Sequence, residues 1–414
     1  MTPPTKAVVE FDAFEPQHHA DPYPSYARVR EATPACPLLL GDVPVTVFTR
    51  YEECAAVLQS PDWGHGYAAG ISPFREQGAL IPGSFVRMDP PDHTRFRALV
   101  NKAFTPRTVA ALTPLVERVV DELLDTALEQ ARSTGRLDVI NDLAVPLALA
   151  MIGGRVLGVP EADRPVLREW ELAIARGTDP DELLPPEAVV ARGLAARECA
   201  GYFQRLVARR RTDPADDLLS ELIRVEERGD TLTEPELVGI CLLLLVAGME
   251  TSINLVGNAV LALLRHPEQQ ALLRARPELM ASTIDEALRY DAPTQFTIRV
   301  ALTDTEVAGH SFARGDGVVV VTASAGRDGA VYADPDRFDI TRFHGPRPAR
   351  RHLGFSLGLH FCVGAPLARV EADAAIGGLL RRVPGLALTQ EVLPEYLPSL
   401  IHRGLRALPV VVDG

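Results

Sequence analysis

The stretch GFSLGLHFCVGAPLAR, from Gly354 to Arg369, holds one cysteine, Cys362, with glycines on both sides and aromatics close by. A cysteine that ligates a metal does so as thiolate, although a free thiol has a pKa of about 8.5. Gly358 and Gly364 permit tight turns whose backbone N–H groups can point at the sulfur. A helix beginning near Gly364 would bring its positive end to the same atom. Phe355 is placed to roof the sulfur and exclude water. An inert buried thiol in a turn is the plain alternative. The combined pattern F-x-x-G-x-H-x-C-x-G speaks against it. One sulfur so wrapped suits a single axial bond to haem iron, with the opposite face left open.

The rest of the chain is consistent with a large catalyst. It has 414 residues, 47% of them hydrophobic, enough for a deep core and an internal cavity. No composition shift, repeat or low-complexity linker marks a boundary, so one domain spanning 1–414 is expected. Forty-two basic and 55 acidic residues give a net charge of -13, a poor match to nucleic acid. Five cysteines, an odd number with no C-x-x-C spacing, suggest neither a disulfide framework nor a zinc site. A reducing cytoplasm fits that usage. The N-terminus MTPPTKAVVEFDAFEP carries acids and prolines where a signal peptide needs an apolar run. The longest apolar run, Leu237 to Met249, falls short of the ~20 residues a bilayer needs, so it reads as a buried helix rather than a membrane span.

Helical patterns dominate, at roughly 93–104, 107–131, 139–157, 187–211, 233–264, 268–290 and 363–382, with a short helix after Asp21. Strand-like runs occur at Pro44–Phe48, around Arg299 in FTIRVAL, at Gly317–Ser324 and in LRALPVVV near the C-terminus. The expectation is a mainly α protein with small β-sheets. The long central helix has a readable start: Thr233 and Glu236 make a capping box, and Pro235 falls in the first turn. His266-Pro267 should end it.

Midway along that helix stands AGMETS, Ala247 to Ser252. Glycine weakens a helix by about 1 kcal/mol relative to alanine, and burying Glu250 is costly unless it is paired. The plain reading is a kink, with Glu250 in solvent and Thr251 bonding the Ala247 carbonyl. The functional reading is a helix opened over a ligand, with an acid and a hydroxyl set to pass protons. Glu286 and Arg289 share one helix face at i, i+3, and His93 and Arg97 share another at i, i+4.

These motifs, in this order, resemble those of the cytochrome P450 family, in its soluble bacterial form. The resemblance runs from the DPYP segment near Asp21 to the last strand. It implies the cytochrome P450 fold, with haem b held between the long central helix and the cysteine-loop helix. It makes Cys362 the axial thiolate and iron ligand, and Phe355, Gly358, His360 and Gly364 the fixed positions of the haem loop. His93, Arg97, Arg299 and His360 match residues that bind the haem propionates. Ala247, Gly248, Glu250 and Thr251 match the oxygen-activating segment, with Thr251 and Glu250 delivering protons. Glu286 and Arg289 match a buried pair that holds the proximal core with the meander Ala333 to Phe343. Two positions depart from the family pattern. Ser356 stands where glycine is commoner, with little effect expected. AGRD, Ala325 to Asp328, replaces the usual A-N-R-D and puts the role of that asparagine in doubt.

The same resemblance implies a monooxygenase that inserts one atom of dioxygen into its substrate. The substrate pocket would be lined by the loop from about Trp63 to Val86, by Val246 and Ala247, by Thr294, Gln295 and Phe296, and by Leu400 and Ile401. That lining is mostly small and apolar, with Thr294 and Gln295 as polar contacts, which suits a mid-sized, largely apolar molecule. The resemblance to bacterial relatives implies a natural product of polyketide or macrolide type. Whether such a substrate arrives free or tethered to a carrier protein is left open by the sequence. The chain has no flavin or iron–sulfur motif, so electrons must come from a separate protein, and the resemblance implies that this is a ferredoxin with its reductase. Arg347, Arg350, Arg351, Lys102 and Arg107 offer a basic docking patch on the cysteine side. A peroxide-driven haem-thiolate enzyme would not need the Glu250–Thr251 pair. A non-catalytic scaffold relative could dispense with Cys362 or the oxygen segment, and this chain keeps both.

Overall fold

The computed structural model describes residues 10–74, 81–102, 104–179, 181–226, 232–389 and 394–412. Helices supply most of it. They are α1 (Tyr23–Ala32), α2 (Tyr51–Gln59), α3 (Asp92–Asn101), α4 (Pro106–Thr134), α5 (Val145–Ala148), α6 (Arg164–Arg176), α7 (Pro186–Thr212), α8 (Leu218–Glu226), α9 (Glu234–Arg265), α10 (Pro267–Ala275), α11 (Met280–Tyr290), α12 (Thr322–Ala325) and α13 (Ala365–Arg382). Wider π turns at Val139–Ala144 and Leu149–Val156 flank the short α5. Of these, α2, α6 and α8 lack an expectation from periodicity. The run expected as one helix over 268–290 is two, α10 and α11. Pro277 accounts for the break by forcing Arg276 to an extended φ of -135°.

The strands are β1 (Cys36–Leu40), β2 (Val43–Phe48), β3 (Trp63–Gly64), β4 (Arg136–Asp138), β5 (Thr297–Ala301), β6 (Thr305–Val307), β7 (His310–Phe312), β8 (Gly317–Val320), β9 (Ala387–Leu388) and β10 (Pro409–Val411). The larger sheet has the order β1-β2-β8-β5-β3, with β2 and β8 parallel and the other pairs antiparallel. A smaller sheet joins β4, β10 and β9, and β6 pairs with β7. The apolar run at 317–324 is strand only to Val320. Thr322–Ala325 then turns as α12.

Helix α9 is the axis of the molecule. Its 32 residues span about 48 Å at 1.5 Å per residue. The capping box is formed: the Thr233 side chain accepts from the Glu236 N–H, and the Glu236 carboxylate accepts from the Thr233 N–H at 2.6 Å. Most side chains of α9 are buried, in a core shared with α4, the π-turn segment, α11 and α13. Two segments are long and apolar enough to cross a membrane, Val139–Val156 and Glu234–Arg265, but both are mostly buried within the fold. A second apolar cluster joins α1 to the inner face of the sheet. The helix-rich core and the sheet together bring the cysteine loop, α3, β5 and the middle of α9 towards one interior region.

Candidate functional site

The cysteine loop leaves the apolar core at Phe355 and returns to it at α13. Gly358 has φ +65°, and a Cβ there would lie 2.4 Å from the Leu58 carbonyl oxygen, so only glycine fits between the loop and α2. Ser356 is also left-handed, at φ +61°, and its buried hydroxyl has no hydrogen-bond partner. This backbone explains why glycine suits that position. Serine there carries a conformational cost of about 1 kcal/mol, which the sequence alone does not reveal. The Cys362 N–H donates to the Phe355 carbonyl at 2.9 Å, which closes the loop. Burial pushes the Cys362 thiol up, while N–H groups of Gly364 and Ala365 and the Arg97 guanidinium pull it down. The other four cysteines are buried thiols that burial also pushes up. At Cys362 burial still prevails, but helix-terminal N–H donors and a nearby cation oppose it, the kind of setting that favours a thiolate once a metal binds.

Beside the loop lies a cluster of nitrogen donors. His93, on α3, is buried, and neither ring nitrogen has a hydrogen-bond partner. Its ring centroid is 4.4 Å from that of His360. Arg97, one turn further along α3, donates to the carbonyls of Leu359 (3.5 Å) and Phe361 and to Asn101 Oδ1 (3.2 Å). Arg299, on β5, is buried and donates to Thr297 Oγ1 and the Ile298 carbonyl, both at 2.8 Å. Among the described residues neither arginine forms a salt bridge. Burial, followed by Arg299, His93 and Arg97, pushes the His360 imidazole down to about 2. Burial also pushes Arg299 down to about 10. Buried cations and orphaned imidazole nitrogens are costly unless an anion meets them. The donor set therefore fits the carboxylates of a haem whose iron Cys362 would ligate.

On α9 the helix runs unbroken through 247–252 rather than opening. The Thr251 hydroxyl donates to the Ala247 carbonyl at 2.7 Å. Ala247 is exposed and Thr251 half-buried in the middle of an otherwise buried helix, so both border an internal space. Gly248 faces the π-turn segment: a Cβ there would lie 3.0 Å from Ile152 Cδ1, which accounts for glycine by packing. Glu250 is buried, not in solvent. Its Oε2 accepts from Arg168 on α6 at 2.9 Å, and the same Arg168 nitrogen bridges to Glu171. Burial and then Glu250 push the Glu171 carboxyl up to about 8. His402 also feels Glu250 and Asp179, and one of its ring nitrogens is buried without a partner.

Glu286 and Arg289 lie fully buried on α11. Arg289 Nε and Nη2 meet the two Glu286 oxygens at 2.7 Å each. The same guanidinium donates to the carbonyls of Gly326 (2.7 Å), Pro335 (2.7 Å) and Arg337 (3.0 Å). Glu286 also accepts from the Asp339 N–H and Arg342. A Cβ at Gly326 would lie 2.3 Å from the Arg289 carbonyl oxygen, so glycine suits this chain where an asparagine would collide.

The pocket-lining expectations need correction at two positions. Segments 294–296 and 400–401 do meet, through the Gln295 N–H donating to the Ile401 carbonyl at 2.8 Å. But the Gln295 side chain is engaged with the Ala292 carbonyl (2.7 Å) and Tyr26, and Phe296 packs on Phe14 at 4.8 Å. The Phe296 side chain belongs to the apolar cluster under α1, and the Gln295 side chain is buried and hydrogen-bonded beside it, so neither is free to line a substrate pocket. Residues 75–80 of the expected lining loop lie outside the described residues. The turn at 399–401 is instead held by Asp179, which accepts from Ser399 Oγ and the Leu400 N–H at 3.0 Å and from the Ile401 N–H at 2.9 Å. Sequence reasoning missed Asp179, Arg168, Glu171, His402 and His65. Two of them had a nearby signal: His402 follows directly on the turn singled out at 399–401, and His65 falls within the lining loop expected from about Trp63 to Val86.

A buried-donor pocket facing a thiol at a helix start defines a haem-thiolate protein, and the comparisons agree. A sequence profile of the family Cytochrome P450 matches residues 196–384. Cytochrome P450 monooxygenase PikC of Streptomyces venezuelae is 40% identical over 97% of this chain and 94% of its own. Two solved structures superpose at TM-score 0.86: P450BioI in complex with hexadec-9Z-enoic acid ligated acyl carrier protein (35% identical, 96% of this chain and 99% of that one), and the bacillaene polyketide synthase cytochrome P450 PksS of Bacillus subtilis 168 (33% identical, 98% and 100%). The chain belongs to the cytochrome P450 family. It is a monooxygenase with haem as its cofactor.

Proposed function

We propose that this chain inserts one oxygen atom into a mid-sized, largely apolar natural product of polyketide or macrolide type, using electrons from a ferredoxin and its reductase. We place it in the cytoplasm, acting as one domain on a substrate that is free or linked to a carrier protein. The observation that carries the reading is the pairing of one helix-capped thiol, Cys362, with a neighbouring cluster of His93, whose ring nitrogens are both unpartnered, His360, and two arginines that meet no carboxylate among the described residues. The polyketide synthase P450 and the carrier-bound P450BioI among its relatives support the substrate class.

Haem supplies the iron at which dioxygen is activated; the chain does the rest. Cys362 gives its thiolate, whose charge the N–H groups of Gly364 and Ala365 and the Arg97 guanidinium hold. His93, Arg97, Arg299 and His360 would hold the haem carboxylates by charge-assisted hydrogen bonds. Thr251 would supply the hydroxyl for proton delivery, which here donates to the Ala247 carbonyl at 2.7 Å and would have to leave it to serve. Glu250 would be the acid that passes protons to that hydroxyl. To do so it must loosen from Arg168, so α6 controls when the acid is available.

Turnover with isotopically labelled dioxygen and a ferredoxin–reductase pair tests this, after a substrate screen read by the haem spin-state shift. One labelled oxygen atom in the product is expected. Product formed only with added peroxide, or unlabelled product, overturns the reading.

A further inference from the structure

The nitrogen cluster has a member that none of the motifs contains. His65 follows β3 and is 7% exposed, and its Nε2 has no hydrogen-bond partner. Its ring stands edge-on to His360 with centroids 4.9 Å apart, and His360 in turn lies 4.4 Å from His93. The groups acting on it are Arg299, His360, Arg87 and His93, and burial before all of them holds its imidazole neutral. A core histidine with no such purpose would be hydrogen-bonded within the protein.

Its position is built rather than incidental. In the β3–β5 ladder Gly64 is opposite Val300, so the chain delivers His65 beside Arg299. The His65 N–H donates to Asp89 Oδ1 and the Gly66 N–H to Asp89 Oδ2, both at 2.8 Å, so one carboxylate fixes the turn. A Cβ at position 64 would lie 2.2 Å from Asp89 Oδ1, which leaves glycine as the residue that lets the turn close. The Tyr67 ring stacks on the imidazole at 6.3 Å and sets its plane.

We propose that His65 is a third imidazole donor to the haem carboxylates, beside His93 and His360. The inference rests on the haem-thiolate reading above. It extends the cofactor site to the segment after β3, which Asp89 ties to the start of α3. The neutral imidazole donates one N–H to a carboxylate oxygen; no bond is made or broken.

The test compares His65→Phe, which keeps a ring and removes the donor, with His65→Gln, which keeps a donor. Haem transfer from the ferric holoenzyme to apomyoglobin is timed for each. His65→Phe is expected to lose haem about tenfold faster or more, as befits one hydrogen bond to a charged group. His65→Gln should stay near the wild-type rate. Protein reconstituted with the dimethyl ester of haem should lose it equally fast with either residue, because the anionic acceptor is gone. Equal loss rates for wild type and His65→Phe, equal acceleration by both variants, or an effect that persists with the ester would each overturn the assignment. If His65→Phe fails to fold, His65→Leu serves the same comparison. The carbon monoxide band of the reduced wild type separates the two levels. Its absence refutes the haem-thiolate reading, whereas its presence with unchanged haem loss refutes His65 alone.

Discussion

Replacing Arg289 by leucine removes the centre of the most deeply buried polar network in the described residues. The guanidinium is 1% exposed and makes five hydrogen bonds: two to Glu286 and one each to the carbonyls of Gly326, Pro335 and Arg337. Removing one partner of a buried ion pair costs about 3–5 kcal/mol, because the other charge is left uncompensated. Each carbonyl left without a donor adds about 1 kcal/mol or more. Glu286 keeps the Asp339 N–H and Arg342, which offsets part of the loss. A net destabilisation of about 4 kcal/mol is expected, a large part of the 5–15 kcal/mol that holds a typical domain together. Urea denaturation followed by far-ultraviolet circular dichroism measures it. The double variant Glu286→Gln/Arg289→Leu should recover part of the loss, since its remaining side chain is neutral. A loss below about 1 kcal/mol, or a double variant no better than Arg289→Leu, would refute the reasoning from an uncompensated buried carboxylate.

Thr251→Ala should leave haem and substrate binding nearly intact while diverting reducing equivalents into peroxide; unchanged coupling between electrons consumed and product would remove the proton-delivery role. Glu371, buried on α13 against Ser252, has its carboxyl pushed up to about 8 by burial, from an ordinary 4.5. The folded state therefore holds a proton that the unfolded chain has lost. Stability from this group is full below about pH 4.5 and is lost as the pH rises through about 8. Glu371→Gln should flatten the fall in urea midpoint between about pH 6 and pH 8.5, and an unchanged slope would contradict the assignment. Glu171 acts in the same direction, so part of the slope should survive. On the cysteine face Arg350 pairs with Glu52 and Arg351 lies over the Phe361 ring at 4.2 Å. Arg350→Glu/Arg351→Glu should slow reduction by a ferredoxin and weaken its salt dependence. Identical rates and salt slopes would show that the partner docks elsewhere.

What the sequence made legible is local. The cysteine loop, the Thr233–Glu236 capping box and the Glu286–Arg289 spacing each lie within one turn or one helix face. Periodicity and motif order suffice to read such features. What it hid arises where distant segments meet. Arg168 reaches Glu250 only because α6 packs across α9, and His65 joins His93 and His360 only through the β3–β5 ladder. Glu250 reads as solvated or functional from sequence, and its burial against Arg168 is a tertiary fact. Gln295 and Phe296 are assigned to the pocket by position, but Phe296 is taken up by the cluster under α1 and Gln295 by hydrogen bonds to Tyr26 and the Ala292 carbonyl. The helices α2, α6 and α8 run only 9, 13 and 9 residues, a short window in which to read an apolar period.

The central claim is that Cys362 carries the iron of a haem. The carbon monoxide spectrum of the reduced protein, compared between wild type and Cys362→Ser, tests it most directly. The account predicts a thiolate-type band in the wild type that is absent from the variant, together with loss of monooxygenation. A variant that kept that band would place the ligand on another residue and contradict the account.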